Sequence, residues 1–425
     1  MKINFIHPPQ YNVIDDRLDP PLGLLYIATN IKNHGYYDTT ISDFSGKLEK
    51  DWNIEYADIY GLTVYSPSVE IVKNIARKCK EINPKCIIVC GGIHATILPD
   101  SLLEGSSIDC VVRGYGEYAM LDIIRDYPNV KKIYQGISFD PNLLAIPDRS
   151  LIDITTYSRK INGKVAFNIQ TTRGCPFACS FCSEHVLTKK ILQRSSDSIY
   201  KEVKNICTEY GGDALFIYDD IFTLNKTRLK QILDIFKNFN IIFDFHLRAD
   251  TVNIQECKEI KESGGNMARI GIESFSDTIL KKMNKKTTRE QNISAIKKIK
   301  EAGLLSRIFL IFGFPGENEH TVEETISGIE EANPDQIFLS TFVPFPGCDV
   351  WSNPEKYNIN RLDKDYSKYS FVSDKGKGNI VFGTSDISDD KILQLQDKMY
   401  QYVYSRSFRG PTQTYYTKLY KNMKV

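Results

Sequence analysis

Cys175, Cys179 and Cys182 fall on one short stretch, Thr171-Thr172-Arg173-Gly174-Cys175-Pro176-Phe177-Ala178-Cys179-Ser180-Phe181-Cys182, in the spacing C-x-x-x-C-x-x-C. At that spacing three thiolates can converge from a single loop, which suits an iron-sulfur cluster. A four-iron cluster normally takes four thiolates, so a local set of three leaves one iron for a non-protein ligand bearing, for example, an amino and a carboxylate group. Structural zinc is the competing chemistry, with His185 completing the set in Cys-x-x-His spacing. Cys348, further along, offers an extra ligand or a radical relay, although a lone buried cysteine more often behaves as a small hydrophobe. Cys79, Cys86, Cys90, Cys110, Cys207 and Cys257 lie within helix or strand patterns and carry no assigned chemistry.

The cysteine stretch must be positioned by the elements around it. From Val165 the chain alternates apolar runs with helical segments: VAFNIQTT, ALFIYDD, IIFDFHL, MARIGIES, RIFLIFG and QIFLST. Six such repeats over 165–343 predict a parallel barrel or partial (β/α)6 barrel with its chemistry on the loops after the strands. The cysteines follow the first strand. Asp219 and Asp220 end the second, Arg248 the third, Glu273 and Ser274 the fourth, and Gly313 the fifth.

Residues 1–126 alternate in the same way, through KINFIH, TTISDF, ADIYGLTVY, CIIVCGG and DCVVRG. They predict a separate α/β domain, a doubly wound parallel sheet. Pro8-Pro9, Ser66-Pro67-Ser68, Gly91-Gly92 and Gly114-Tyr115-Gly116 fall after its strands, where such sheets bind ligands. Between 127 and 164, Pro128, Pro141, Pro147 and Gly163 interrupt a weak pattern and indicate a linker. Residues 344–425 read as a small C-terminal cap of loops with one helix near Ile392 to Tyr404, and Phe342, Pro344, Phe345, Pro346, Gly347 and Trp351 stand where a lid would pack.

A chain of 425 residues exceeds one ordinary core and suits two domains with an extension. Apolar residues at 42% and charged residues at 25% place it among ordinary globular proteins. With 54 basic against 53 acidic residues and no long basic run, nucleic acid is excluded as a partner. No apolar run approaches membrane-spanning length and MKINFIHPP enters a strand pattern directly, so no membrane partner and a cytoplasmic location are expected. There the ten cysteines stay as thiols.

The cysteine spacing after the first strand of a six-repeat α/β unit resembles the radical S-adenosylmethionine (SAM) superfamily, with Phe181 as its usual aromatic. The resemblance implies a [4Fe-4S] cluster on Cys175, Cys179 and Cys182. It also implies SAM held by its amino group at Phe216-Ile217-Tyr218-Asp219-Asp220, by its carboxylate at Arg248, by its ribose at Gly271-Ile272-Glu273-Ser274 and on its adenine side at Gly313-Phe314-Pro315-Gly316-Glu317. Reductive cleavage to a 5′-deoxyadenosyl radical and hydrogen abstraction follow, with flavodoxin or ferredoxin as electron donor and a small molecule or peptide as substrate.

In the first domain Pro20-Pro21-Leu22-Gly23-Leu24-Leu25-Tyr26, Cys90-Gly91-Gly92-Ile93-His94-Ala95 and Gly114-Tyr115-Gly116-Glu117 look like the cobalamin-binding-domain subgroup of that superfamily, which often transfers methyl groups. The likeness implies cobalamin contacts at Pro8, Pro9, Ser66, Gly91, Gly92 and Gly114, glycine letting backbone approach a bulky ligand. An Asp-x-His-x-x-Gly motif is absent, so no histidine is expected on cobalt; His7, His34 and His94 are read as surface or pocket residues. A cobalamin-free dehydratase, cyclase or epimerase is the second reading, because some relatives work without cobalamin, and a zinc-stabilised binding module is the third.

Overall fold

The structure, a computed structural model, describes residues 1–13, 15–188, 190–371 and 377–405. The chain forms two compact units, Met1–Arg159 with Val186–Arg194 and Asp365–Lys368, and Lys160–His185 with Ser195–Lys364 and Tyr369–Val425.

The first unit is built on six parallel strands, β1 (Ile3–His7), β2 (Thr39–Asp43), β3 (Ile59–Thr63), β4 (Ile87–Gly91), β5 (Cys110–Gly114) and β6 (Ile133–Gly136), in the order β2-β1-β3-β4-β5-β6. Strand residues divide by parity. Ile3, Phe5, Ile59, Val89, Cys110 and Val112 meet the helices 22–33 and 116–126, whereas Ile6, Tyr60, Leu62, Ile88, Cys90 and Val111 meet the helix 69–82. Both faces are covered, which is why these strands are apolar throughout rather than alternating. The order reverses between β1 and β3, so the loops after those strands border the crevice where doubly wound sheets take ligands.

Part of the segment read as a linker is sheet. Ile133–Gly136 pairs in parallel with Val111–Gly114. It is a four-residue edge strand buried at alternate positions, too short for its period to stand out beside Pro128. Gly114 (φ 89°) permits the approach, because a Cβ there would stand 2.7 Å from the Gly136 carbonyl oxygen.

In the second unit a short antiparallel edge, β7 (Lys160–Ile161), leads into β8 (Lys164–Ile169), and the cysteine stretch starts with β9 (Thr172–Arg173). A further two-residue strand, β10 (Leu192–Gln193), belongs to the first unit. The parallel strands β8, β11 (Ala214–Ile217), β12 (Ile242–Arg248), β13 (Gly265–Glu273), β14 (Leu305–Phe312) and β15 (Gln336–Thr341) then lie side by side in chain order. This is the expected six-strand partial barrel.

Along β12 the odd positions Phe243 and Phe245 pack with Phe222, while Asp244, His246 and Arg248 take the other face. On that inner face a belt runs from strand to strand. Asp244 pairs with Arg269 at 2.9 Å, and Arg269 lies 4.4 Å over the Phe216 ring. His246 packs on Phe216 and Phe309, Phe309 on Phe338, and Arg307 Nε donates to Gln336 Oε1 at 2.7 Å.

After β15 the chain adds an antiparallel pair, β16 (Ile359–Leu362) with β17 (Phe382–Thr384), and a helix over Asp389–Ser405. The cap is therefore more than loops and one helix; these strands of four and three residues give no readable alternation. Residues 372–376 and 406–425 of the expected cap lie outside the described residues.

Candidate functional site

The cysteine loop is held from outside by the segment Lys282–Lys285, between the helices 277–282 and 289–301. Ser180 N donates to Met283 O at 2.9 Å, Ser180 Oγ to Lys282 O at 3.2 Å, and Asn284 Nδ2 to Ala178 O at 2.6 Å. Asn284 adopts φ 51°, a left-handed conformation asparagine tolerates better than most side chains. The segment after β15 adds two more ties, Val350 N to Ser180 O at 3.2 Å and Ser183 Oγ to Pro346 O at 2.9 Å. Cys348 joins neither set. It is fully buried, its sulfur accepts from Trp351 N at 3.3 Å as a helix cap, and burial pushes its thiol up to about 11.

On this loop Cys179 is buried, and Cys175 and Cys182 are half-buried. Burial pushes the Cys182 thiol up to about 12 and raises Cys175 too, with Cys179 and Asp220 adding to both shifts. The loop thus gathers thiols that resist ionisation until a metal takes the place of the proton. Among the described residues no three His, Cys, Asp or Glu side chains form a group that could hold a single metal ion. Three cysteines on one braced loop, all free thiols, are the donor set that a four-iron cluster with one open iron takes.

The strand ends sort the other candidates. Asp219 is fully buried and turns away from the thiols: its carboxylate accepts from Thr171 N at 2.6 Å and from the Thr171 hydroxyl, while Arg228 bonds Thr171 O at 2.6 Å. Its carboxylate is thereby engaged in fixing the end of β8. Asp220 faces Cys175 and Cys182 and keeps solvent access; burial, then the Asp219 carboxylate, push it up to about 6. Of the adjacent pair it is the carboxylate available to an ammonium.

Arg248 was expected on the SAM carboxylate, but its guanidinium is committed to the loop. It lies 3.9 Å over the Phe177 ring, donates to Cys179 Sγ at 3.4 Å and to Lys285 O, and is held by Asp250 at 2.8 Å. Ser274 likewise points elsewhere, to Thr325 Oγ1 at 3.1 Å, tying β13 to the helix 319–332.

Glu273 sits where β13 bulges against β14, with φ 65°, and its carboxylate pairs with the buried Lys285 Nζ at 2.8 Å. Gly271 makes room for that pair, since a Cβ there would stand 2.5 Å from Glu273 Oε1. Lys285 Nζ also lies 5.7 Å from the Phe181 ring centre, so one lysine links the fourth strand end to the cysteine loop. Sequence reasoning missed it, because nothing in the local sequence sets Lys285 apart from the neighbouring Lys281, Lys282 and Lys286. Only the neighbouring Asn284, a left-handed stop signal, marks a break in the helix. Lys285→Met should cost about 3–5 kcal/mol by leaving Glu273 charged and unpaired in the interior. Adding Glu273→Gln should recover part of this loss in denaturant unfolding, and strictly additive losses would rule the pairing out.

Gly313 (φ 84°) opens on free space, and its N–H donates to Glu317, whose carboxylate also accepts from the Phe314 backbone. Burial pushes the Glu317 carboxyl up to about 8 from its ordinary 4.5. A carboxyl with a raised folded pKa holds its proton better in the native state. Its stabilising contribution is complete below about pH 4.5 and is lost as pH rises to about 8, at no more than about 1.4 kcal/mol per pH unit. Glu317→Gln should therefore flatten the decline in Tm between pH 5 and 8. Parallel Tm curves for the two proteins would reject the buried-acid assignment.

In the first unit the candidate contacts separate as well. Pro8 and Pro9 are buried at the end of β1. Ser66 Oγ bonds His94 Nδ1 at 2.9 Å, and His94 Nε2 bonds Ser101 Oγ at 2.9 Å, so this buried imidazole has both nitrogens engaged. Burial pushes His94 down to about 4, neutral at physiological pH. Gly92 (φ 99°) is required by its own fold, because a Cβ would meet Val64 O at 2.9 Å, and Gly114 by the approach of β6. Gly91 has no neighbour within 4 Å of its would-be Cβ. Of the three glycines it alone presents open backbone at the ligand-binding edge, as a bulky planar cofactor needs.

Residues 169–328 match the family model described as the radical SAM superfamily, and residues 19–124 match the B12 binding domain. The chain is 29% identical over 439 residues to an uncharacterized methyltransferase of Pyrococcus horikoshii, covering 96% of this chain and 93% of that protein. It is 26% identical to the anaerobic magnesium-protoporphyrin IX monomethyl ester cyclase of Rubrivivax gelatinosus, covering 88% of this chain and 73% of that one. Among solved structures, the radical SAM methyltransferase TsrM from Kitasatospora setae, with cobalamin and a [4Fe-4S] cluster bound, shares the fold with a TM-score of 0.70 at 14% identity, covering 95% of this chain and 89% of that one. With three thiols held on the loop after the first barrel strand, the chain thus carries a radical SAM domain over residues 169–328 and a B12-binding domain over residues 19–124.

Proposed function

We propose that the chain is a cobalamin-dependent radical SAM C-methyltransferase that modifies an unactivated carbon of a small molecule or peptide. The observation that carries the reading is the pairing, in one chain, of a braced three-thiol loop with a doubly wound sheet whose strand edge is open at Gly91. When bound, the cluster with SAM supplies a carbon radical able to take hydrogen from an inert C–H bond, and cobalamin supplies the methyl group.

The chain's own residues do the positioning. Cys175, Cys179 and Cys182 hold three irons, and Arg248 keeps Cys179 in place through its contact with sulfur. Asp220 takes the SAM ammonium, Glu273 held by Lys285 stands at the ribose, Phe181 flanks the loop, and the free space at Gly313 admits the adenine side. The belt from Asp244 to Gln336 fills the inner face beneath these groups and keeps water from a reactive carbon centre. The electron donor is a flavodoxin or ferredoxin, and the reducing cytoplasm suits a chain whose ten cysteines are all free thiols.

Loaded protein should contain about four irons and four sulfides per chain. It should take up cobalamin and pass label from the SAM methyl group to a product. The cyclase of Rubrivivax gelatinosus among the relatives supports a second outcome, ring formation without methyl gain. A labelled methyl in the product decides for transfer, and an unlabelled product of altered mass decides for that second outcome.

A further inference from the structure

Against the outer side of the cysteine loop lies a recess of about 460 Å³, whose lining includes Lys281, Lys282, Asn284, Lys356, Tyr357 and Asp349. Asp349 is neutralised by Lys356 at 2.6 Å and accepts the Tyr357 hydroxyl. Lys281 and Lys282 are exposed, and among the described residues no carboxylate pairs with either, so the rim carries an excess of two positive charges. Its wall is one hydrogen bond from the loop. Lys282 O accepts from Ser180 Oγ and Asn284 Nδ2 donates to Ala178 O, the two residues flanking Cys179.

We infer that this recess is the port for electrons, a docking surface for a small acidic one-electron carrier protein. The inference rests on the radical SAM reading, which demands one electron from outside for each cleavage. Lysines without partners attract an acidic surface over a distance and orient it. The carrier's reducing group is then held outside the Ala178–Ser180 backbone. One electron leaves the carrier, which is oxidised by one, and the cluster is reduced by one; no bond or proton is exchanged.

The test compares reconstituted wild type with Lys281→Glu/Lys282→Glu. Both side chains are exposed, and the ties to Ser180 and Ala178 use the Lys282 backbone and the Asn284 side chain, so folding is not at stake. Reduction of the cluster is followed by its visible absorbance in stopped flow, with flavodoxin hydroquinone or dithionite as reductant. The double variant should be reduced by flavodoxin about ten- to a hundredfold more slowly at low salt, with the gap closing as ionic strength rises. Dithionite should reduce both proteins alike. Equal flavodoxin rates, including no reduction of either protein while dithionite works, overturn the port. Absence of iron, sulfide and the visible cluster absorbance in the reconstituted wild type overturns the radical SAM reading instead.

Discussion

Alanine at Cys175, Cys179 or Cys182 should abolish release of 5′-deoxyadenosine from SAM, because two thiolates cannot hold a cluster that leaves one iron open. The expected loss is complete rather than partial. Chemistry, and not collapse of the fold, should be its origin: the loop is tied by Ser180, Ala178 and Ser183 to Met283, Lys282, Asn284, Val350 and Pro346, and none of those bonds uses a thiol. Cys175→Ala and Cys182→Ala should each unfold within about 1 kcal/mol of the parent protein without metal, in line with a small side-chain truncation at a half-buried site. Cys179 is the strictest case, being buried and in contact with Arg248. Normal 5′-deoxyadenosine yield from any one of the three removes the cluster assignment.

The second large effect concerns the glycine pair after β4. Gly91→Leu should prevent cobalamin uptake by the first unit and leave iron, sulfide and SAM cleavage intact, because the added side chain enters open space at the ligand-binding edge. Gly92→Leu should fail differently. At φ 99° and 2.9 Å from the Val64 carbonyl, the new side chain strains the backbone itself, so lowered stability is expected before any question of cofactor. Equilibrium binding of cobalamin, set beside Tm for both variants, separates the two mechanisms. Cobalamin bound by Gly91→Leu as tightly as by wild type would move the site away from this edge. In wild type a base-off absorption spectrum is expected, since the imidazole of His94 already has both nitrogens bonded to serines.

Strand periodicity made the barrel readable, because Phe243 and Phe245 alternate with Asp244, His246 and Arg248 under one simple rule. The same rule cannot tell Asp219 from Asp220 by role. Adjacent residues point to opposite sides, and which side holds Thr171 depends on the pairing of β8 with β11. Arg248 was read for its charge, yet its partners Phe177, Cys179 and Lys285 lie 37 to 71 residues away. Lys285 was missed for the same reason. A buried lysine can only be recognised through the carboxylate that faces it, and the glycine that lets them meet lies on another element. The edge strand β6 escaped notice because four residues hold too little pattern to outweigh the nearby prolines.

The external bracing of the cysteine loop bears on how the metal centre is assembled. A loop whose outline is drawn by bonds to Met283, Lys282, Asn284, Val350 and Pro346 arrives at the assembly machinery already shaped, so maturation resembles ligand capture more than coupled folding. Little chain entropy remains to be lost when iron and sulfide enter. Substitutions in 282–284 that weaken these bonds then belong to a separate class, maturation defects, whose harm lies in slow or incomplete loading although no ligand to iron has been changed.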